Sequence, residues 1–310
     1  MAGPTTDWRK GMHKWTRTPR WLFAGIGISA VLGLAVALAS GVSQAQVGPD
    51  DLKAPEGEPG LDVLACFAIE NGETSPPPLM AVMTTDNFGS DVVRIADSPF
   101  FCESAVKTQH FGRDRDPAAL PHGKLGGFVF QCFGVRNGAN PDDLVRLISH
   151  NFDAEFVNIG PAEHMCETAH KTHGAVEFGR PGRMALHCFT VQQLAFEGIF
   201  PVHGNVELLT SNFGASLVQL GDTTILCEEA SKQTGSPQND IGRPTGRAWQ
   251  CIEVVDEIIP EDPDRGAIDL ETSNFGEMTE LPVGALVMMC ERAKKEFPIT
   301  VTAFPGGGNP

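Results

Sequence analysis

Apolar and polar residues alternate over four short stretches of this chain. Each stretch ends at an asparagine, with apolar residues six and four positions before it and a hydroxylated residue two positions before it. A period of two is typical of a strand that buries one face. The pattern therefore predicts four half-buried strands, and their apolar pairs are Ala81/Met83, Val145/Leu147, Val206/Leu208 and Ile268/Leu270.

The same short motif closes each of these strands. It reads T-S-N-F-G at 210–214 and at 272–276, T-D-N-F-G at 85–89 and S-H-N-F-D at 149–153. We expect the phenylalanine to anchor the strand end in the core. The Gly or Asp after it favours a turn, because these residues tolerate a left-handed backbone or bond their own main chain. The residues of this predicted repeat turn are Asn87, Phe88, Gly89, Asn151, Phe152, Asn212, Phe213, Gly214, Asn274, Phe275 and Gly276.

Two cysteines flank every copy of the motif. The first precedes the asparagine by 21, 19, 24 and 23 residues, and the second follows it by 15, 15, 15 and 16 residues. Nearly even spacing at one side and small insertions at the other are typical of a structural repeat. The alignment predicts four repeat units, here called segments 1 to 4, at 61–109, 128–172, 185–233 and 248–297.

Eight cysteines would allow 105 pairings, and the repeat selects among them. Pairing within each segment gives Cys66–Cys102, Cys132–Cys166, Cys188–Cys227 and Cys251–Cys290. Each bond would close a loop for which chain entropy predicts about 4 kcal/mol of stabilisation. Exchange of partners between neighbouring segments is the main alternative.

A polar tail, C-E-x-A-x-K, follows the second cysteine in every segment. Its Glu and Lys are four residues apart, which suits an ion pair on one helical turn. A solvated strand exit is the alternative. The predicted fold class is mainly β: four tandem small disulfide-stapled units of about four short strands each, with one possible helical turn after the second cysteine, preceded by a signal helix.

The N-terminus has the order of a secretory signal. A basic stretch precedes an apolar run at 21–39, and the small residues Ser43 and Ala45 precede a plausible cleavage site. We therefore expect a signal peptide at 1–45, with an uncleaved membrane anchor as the alternative. Residues 46–60 are predicted to be a disordered linker and residues 298–310 a disordered tail. The signal predicts a secreted, periplasmic or cell-surface protein, which contacts a membrane only through 21–39 if these are retained.

Charge excludes one class of partner. The chain has 39 Asp and Glu against 23 Lys and Arg, a net charge of −16, so its surface repels phosphate backbones. Nucleic-acid binding is therefore not expected.

Three motifs of segment 3 are similar to motifs of a known family: C-F-T-V at 188–191, L-L-T-S-N-F-G at 208–214 and L-C-E-E-A-S-K at 226–232. The chain resembles an uncharacterised family of secreted bacterial proteins with tandem cysteine repeats. It differs in having Phe or Ile where that family has Tyr, Asn where it has Gln, and no Pro after the second cysteine. The resemblance implies location and architecture, and no activity.

No residues form a known catalytic motif such as G-x-S-x-G, H-E-x-x-H or a Gly-rich phosphate loop. The sequence therefore predicts a non-enzymatic scaffold for an unknown surface or extracellular ligand, with no cofactor. The alternative is a periplasmic metal- or small-ligand-binding protein that uses His164, His170 and His173 of segment 2, because imidazoles within a few residues can hold zinc or copper.

Overall fold

A computed structural model describes residues 62–70, 79–110, 121–149, 152, 154–182, 184–194, 203–235, 240–259 and 264–297. The predicted signal, the linker at 46–60, the tail at 298–310 and Asn151 lie outside these described residues. The described residues all belong to one compact unit of the chain, Lys53–Pro310.

The described residues form strands and turns, and no helix, so the expected β class is confirmed. No membrane-spanning helix is found in this part of the chain. The strands are β1 (Val63–Ile69), β2 (Met80–Thr85), β3 (Gly89–Ile95), β4 (Phe100–His110), β5 (Pro121–Gly123), β6 (Val129–Arg136), β7 (Leu144–Ser149), β8 (Glu155–His173), β9 (Val176–Gly179), β10 (Ala185–Leu194), β11 (Asn205–Thr210), β12 (Gly214–Gln233), β13 (Ile241–Gly242), β14 (Ala248–Ile259), β15 (Ala267–Thr272) and β16 (Gly276–Glu296).

Two details of the prediction are wrong. The C-E-x-A-x-K tails continue β4, β8, β12 and β16 as strand and form no helical turn. The expected four short strands are found only in segment 1, because in segments 2 to 4 the strand after the turn runs on without a break through the second cysteine. The resulting strands are 19, 20 and 21 residues long. Each tail is held extended by pairing with strands of other segments.

Eight antiparallel strands close into a ring. Its order is β1, β4, β6, β8, β10, β12, β14 and β16, and β16 pairs again with β1. Closure leaves the central part of the sheet without an unpaired edge. Each segment contributes two neighbouring strands to the ring.

The four disulfides lie inside this ring and have the pairing expected within segments: Cys66–Cys102, Cys132–Cys166, Cys188–Cys227 and Cys251–Cys290. In each pair the two cysteines stand directly opposite each other on adjacent strands. The sulfurs pack with apolar side chains into an inner core that includes Leu64, Phe100, Phe130, Leu186, Ile225, Trp249 and Met288. The cavity left among these side chains is about 10 Å³ and apolar, so it has room for no ligand larger than a water molecule.

The strand before each turn pairs with one strand of its own segment and with one strand of another segment. Strand β11 of segment 3 pairs with the strand after its own turn, β12, and also with the end of β4 from segment 1. Strand β2 of segment 1 pairs in return with the end of β12. In the same way, β7 of segment 2 pairs with the end of β16, and β15 of segment 4 pairs with the end of β8. The sheet around each turn is therefore completed by the segment two places away.

A second, larger core lies between the ring and these outer strands. It contains three of the four alternating apolar pairs predicted from the sequence, those of segments 1, 3 and 4. The pair of segment 2, Val145 and Leu147, lies in a smaller cluster with Val157 and Phe189. Both residues of every pair are buried. Their burial confirms the predicted face of the four strands.

Candidate functional site

The repeat turn is held by its own hydroxyl group. The backbone N–H of Phe213 donates to Thr210 Oγ1 at 3.2 Å, and Phe88 and Phe275 make the same bond to Thr85 and Thr272. This bond explains why a threonine stands two positions before Asn87, Asn212 and Asn274. The next residues, Gly89, Gly214 and Gly276, have φ values of 72°, 66° and 71°, as a left-handed turn requires.

The Glu and Lys of the polar tails are buried and do not pair within one tail. Instead, Glu167 of segment 2 contacts Lys232 of segment 3 at 2.5 Å, and both side chains are fully buried. Glu and Lys are four residues apart on a strand, so the pairing expected on one helical turn is not available to them. The lysine extends to the carboxylate of the preceding segment, and the expectation of a solvated strand exit is also wrong.

The same arrangement occurs four times around the ring. Each lysine also lies over the ring of a phenylalanine from a third segment, with Nζ between 4.3 and 4.7 Å from the ring centroid. We call these groups the lysine clusters: Glu103–Lys171–Phe213, Glu167–Lys232–Phe275, Glu228–Lys295–Phe88 and Glu291–Lys107–Phe152. Each cluster joins three segments, so the tail and the turn motif meet in one place.

The asparagines of two turns complete their clusters. Asn274 Nδ2 donates to Glu167 Oε2 at 2.9 Å, and Asn87 Nδ2 donates to Glu228 Oε1 at 3.0 Å. In both clusters the lysine contacts the same carboxylate oxygen as the asparagine. Asn212 precedes Phe213 in a third cluster, and both polar atoms of its amide are buried.

Burial changes the protonation of these amines. Burial lowers the pKa of Lys107, Lys171 and Lys232, although the neighbouring carboxylate opposes the shift in each case. For Lys295, burial lowers the pKa to about 7, against the opposing effect of Asp86 and Asp143. A lysine with such a pKa is in part neutral near pH 7 and can act as a nucleophile.

The three histidines of the alternative metal site are not brought together. His170 and His173 are three residues apart on β8, so strand alternation sends them to opposite faces. His164 is a further six residues from His170, about 20 Å along the strand, and its ring packs edge-on against Phe100. Within the residues that the structure describes, no group of three His, Cys, Asp or Glu could hold a metal ion.

A polar cluster that sequence reasoning missed surrounds Glu155, whose side chain is fully buried. Its carboxylate accepts hydrogen bonds from Thr223 Oγ1 at 2.9 Å and from Gln193 Nε2 at 2.7 Å, and also from Gln250 Nε2. His203 Nε2 lies 3.0 Å from the same carboxylate. We call these five residues the Glu155 cluster.

The other segments place different residues at the corresponding positions. Gln131, like Gln250, precedes the first cysteine of its segment, and its Nε2 donates to Ser98 Oγ at 3.2 Å and to Met278 Sδ at 2.9 Å. Met278 and Glu155 both stand four residues after the asparagine of their turn. The signal that could have revealed the Glu155 cluster was an acidic residue at this position, which Asp91 shares in segment 1 and which is Ser216 in segment 3.

No protein-family model, curated protein or solved structure matches this chain.

Proposed function

We propose that this chain is an exported protein of four tandem repeat units that acts as a non-enzymatic scaffold at the cell surface or outside the cell. The units are segments 1 to 4, and each carries one disulfide. In this proposal the residues repeated in all four units build the fold, and the acidic outer surface meets the partner.

One observation carries the proposal: the repeated turn and tail motifs join one segment to others. The turn asparagines Asn87 and Asn274 bond a glutamate two segments away, and the tail lysines pair with the glutamate of the preceding segment. Residues of repeat proteins that build the contacts between units are expected to recur in each unit. Their repetition then needs no explanation by four identical binding or catalytic sites.

Export is supported by the cysteines and by the N-terminal sequence. All eight cysteines are disulfide-bonded, and disulfides persist mainly in oxidising compartments. The basic and apolar order of residues 9–45 gives the same indication independently. The resemblance to secreted proteins with tandem cysteine repeats agrees with both.

The test is to express the full chain in a bacterium that has a Sec pathway, beside a version that begins at Gln46. We expect the full chain to leave the cytoplasm with four disulfides in the pairing described above, as mapped by non-reducing peptide analysis. We also expect the folded protein to resist protease until it is reduced. A cytoplasmic full-length chain with free thiols would overturn the export proposal, and reproducible turnover in a panel of hydrolase assays would overturn the non-enzymatic role.

A further inference from the structure

The lysine clusters contain the three groups needed to form an amide bond between side chains. In the lysine cluster Glu167–Lys232–Phe275, the carboxylate oxygen Oε2 of Glu167 contacts Lys232 Nζ at 2.5 Å and Asn274 Nδ2 at 2.9 Å. An amine, a carboxylate and a carboxamide therefore meet at one oxygen atom. Glu228 Oε1 contacts Lys295 Nζ and Asn87 Nδ2 in the same way.

An ion pair alone leaves polar atoms of these clusters unsatisfied. Asn274 Oδ1 and Glu167 Oε1 are both buried and have no hydrogen-bond partner among the described residues, and the same holds for Glu228 Oε2. Buried polar atoms without partners are rare in proteins and call for an explanation. A carboxyl group that carries a proton could donate to the asparagine carbonyl oxygen, and both atoms would then be satisfied.

We propose that Lys232 is joined to Asn274, and Lys295 to Asn87, by intramolecular isopeptide bonds. This modification goes beyond the scaffold function and does not depend on where the chain is located. Each bond would connect two segments covalently, in addition to the disulfide within each segment.

The reaction balances without any co-reactant. The neutral lysine amine attacks Cγ of the asparagine, and a new Nζ–Cγ bond forms. The protonated glutamate carboxyl delivers its proton to Nδ2 and takes one from Nζ in its place, the Cγ–Nδ2 bond breaks, and ammonia leaves. The glutamate ends in its starting state, and no group is oxidised or reduced.

The surroundings favour this reaction over a simple ion pair. Burial lowers the pKa of both lysines, so the amines are more readily neutral than an exposed lysine would be. Phe275 and Phe88 cover the amines at 4.6 Å and reduce the access of water. Because the fold holds amine and amide beside one carboxylate oxygen, the reaction is unimolecular and gains the advantage of proximity.

The test is tandem mass spectrometry of the purified full chain after reduction, alkylation and digestion. We expect one branched peptide that contains Lys232 and Asn274 and a second that contains Lys295 and Asn87, each lighter than its two linear parts by one ammonia molecule. Peptide masses are needed in addition to the intact mass, because an N-terminal Gln46 created by cleavage can also lose ammonia and would give the same mass change as one isopeptide bond. Recovery of all four residues only in linear peptides would overturn the proposal.

A matched pair of variants tests the role of the glutamate. Glu167→Gln removes the proton acceptor, and we expect it to abolish the Lys232–Asn274 peptide while the Lys295–Asn87 peptide remains. Glu163→Gln changes an exposed carboxylate on the same strand and should leave both branched peptides at wild-type level. A Lys232–Asn274 peptide at wild-type yield in Glu167→Gln would overturn the proposed proton transfer. The wild-type measurement is decisive even if Glu167→Gln does not fold.

Discussion

His187 and His203 are both buried, and each has a carboxylate within 4 Å, but their pKa values shift in opposite directions. Burial lowers the pKa of His187 to about 4, and the Asp91 carboxylate opposes this only weakly. Burial also disfavours charge on His203. There, the hydrogen bonds to Glu155 and to the Gly221 carbonyl, together with the charges of Glu155 and Glu291, outweigh it and raise the pKa.

Geometry explains the difference. His203 Nδ1 lies 2.7 Å from the Gly221 carbonyl oxygen and Nε2 lies 3.0 Å from Glu155, and both neighbours are acceptors. Both acceptors receive a hydrogen bond only when both ring nitrogens carry protons, so the site favours the imidazolium form. His187 Nε2 is 3.9 Å from Asp91 Oδ2, an oxygen that already accepts the Ala139 N–H at 2.6 Å. A nearby carboxylate therefore charges a buried histidine only when it lies within hydrogen-bond distance.

The largest effect is expected from Glu155→Met, which places at this position the residue found at 278. The change removes the carboxylate that pairs with protonated His203 and accepts from Gln193 and Gln250, so we expect a loss of about 3–5 kcal/mol in the free energy of unfolding. Urea unfolding at pH 6 measures it. The matched control combines Glu155→Met with His203→Leu and should regain much of this loss. Gln250 and Thr223 would then lie beside a methionine, as Gln131 and Ser98 lie near Met278. A double variant as unstable as the single one would contradict the imidazolium assignment.

The second effect is the acid sensitivity that His187 confers. Its folded-state pKa of about 4 is below the ordinary value of about 6.5, so the unfolded chain binds the extra proton. Stability should be lost as the pH falls from about 6.5 to about 4, by about 3 kcal/mol in total.

His187→Gln tests this effect, since glutamine is the residue that precedes the first cysteine in segments 2 and 4. We expect a flatter stability curve between pH 6.5 and pH 4 for the variant, measured by urea unfolding at several pH values. Equal slopes for variant and wild type would show that another group dominates there.

A smaller loss is expected from Thr223→Val. The substitution keeps the shape of the side chain but removes a donor to Glu155 and an acceptor for Gln250. Hydrogen bonds to charged groups contribute about 1.5–3 kcal/mol, so we expect a loss in that range. Thr190→Val, which removes an exposed hydroxyl bonded to the Pro161 carbonyl, is the control and should change stability by less than about 0.5 kcal/mol.

The smallest effect should be the pH dependence due to His203, because burial opposes the bonds that raise its pKa. Its contribution is present in full below the ordinary pKa of about 6.5 and is lost as the pH rises through the raised folded-state value. The destabilisation caused by His203→Gln should therefore shrink as the pH increases. NMR titration of the histidine rings provides a direct check, and a His203 pKa below 6.5 would contradict the expected direction.

Some features of the fold could be predicted because they depend on neighbouring residues. Alternation placed Met83 and Leu208 on a buried face, and the turn motif placed Gly214 where a positive φ is needed. The disulfide pairing could also be predicted, because the spacing of Cys188 and Cys227 is repeated by Cys251 and Cys290. The prediction of a helical turn after the second cysteine was wrong for a specific reason. A Glu–Lys spacing of four suits an ion pair within a helix, but here the partner of Glu167 is Lys232 of the next segment.

The sequence by itself determined the β class, the turns that end at Gly89, Gly214 and Gly276, and the cysteine pairs, because these follow from local periodicity, turn chemistry and repeated spacing. The tertiary structure alone decided how the segments interlock. Strand β11 pairs with β4 two segments away, and Glu155 meets His203 across 48 residues. Hydrogen bonding between strands is nearly the same for any partner, so local sequence does not choose among four similar edges. In the observed pairing, each buried tail lysine lies beside a glutamate of the preceding segment.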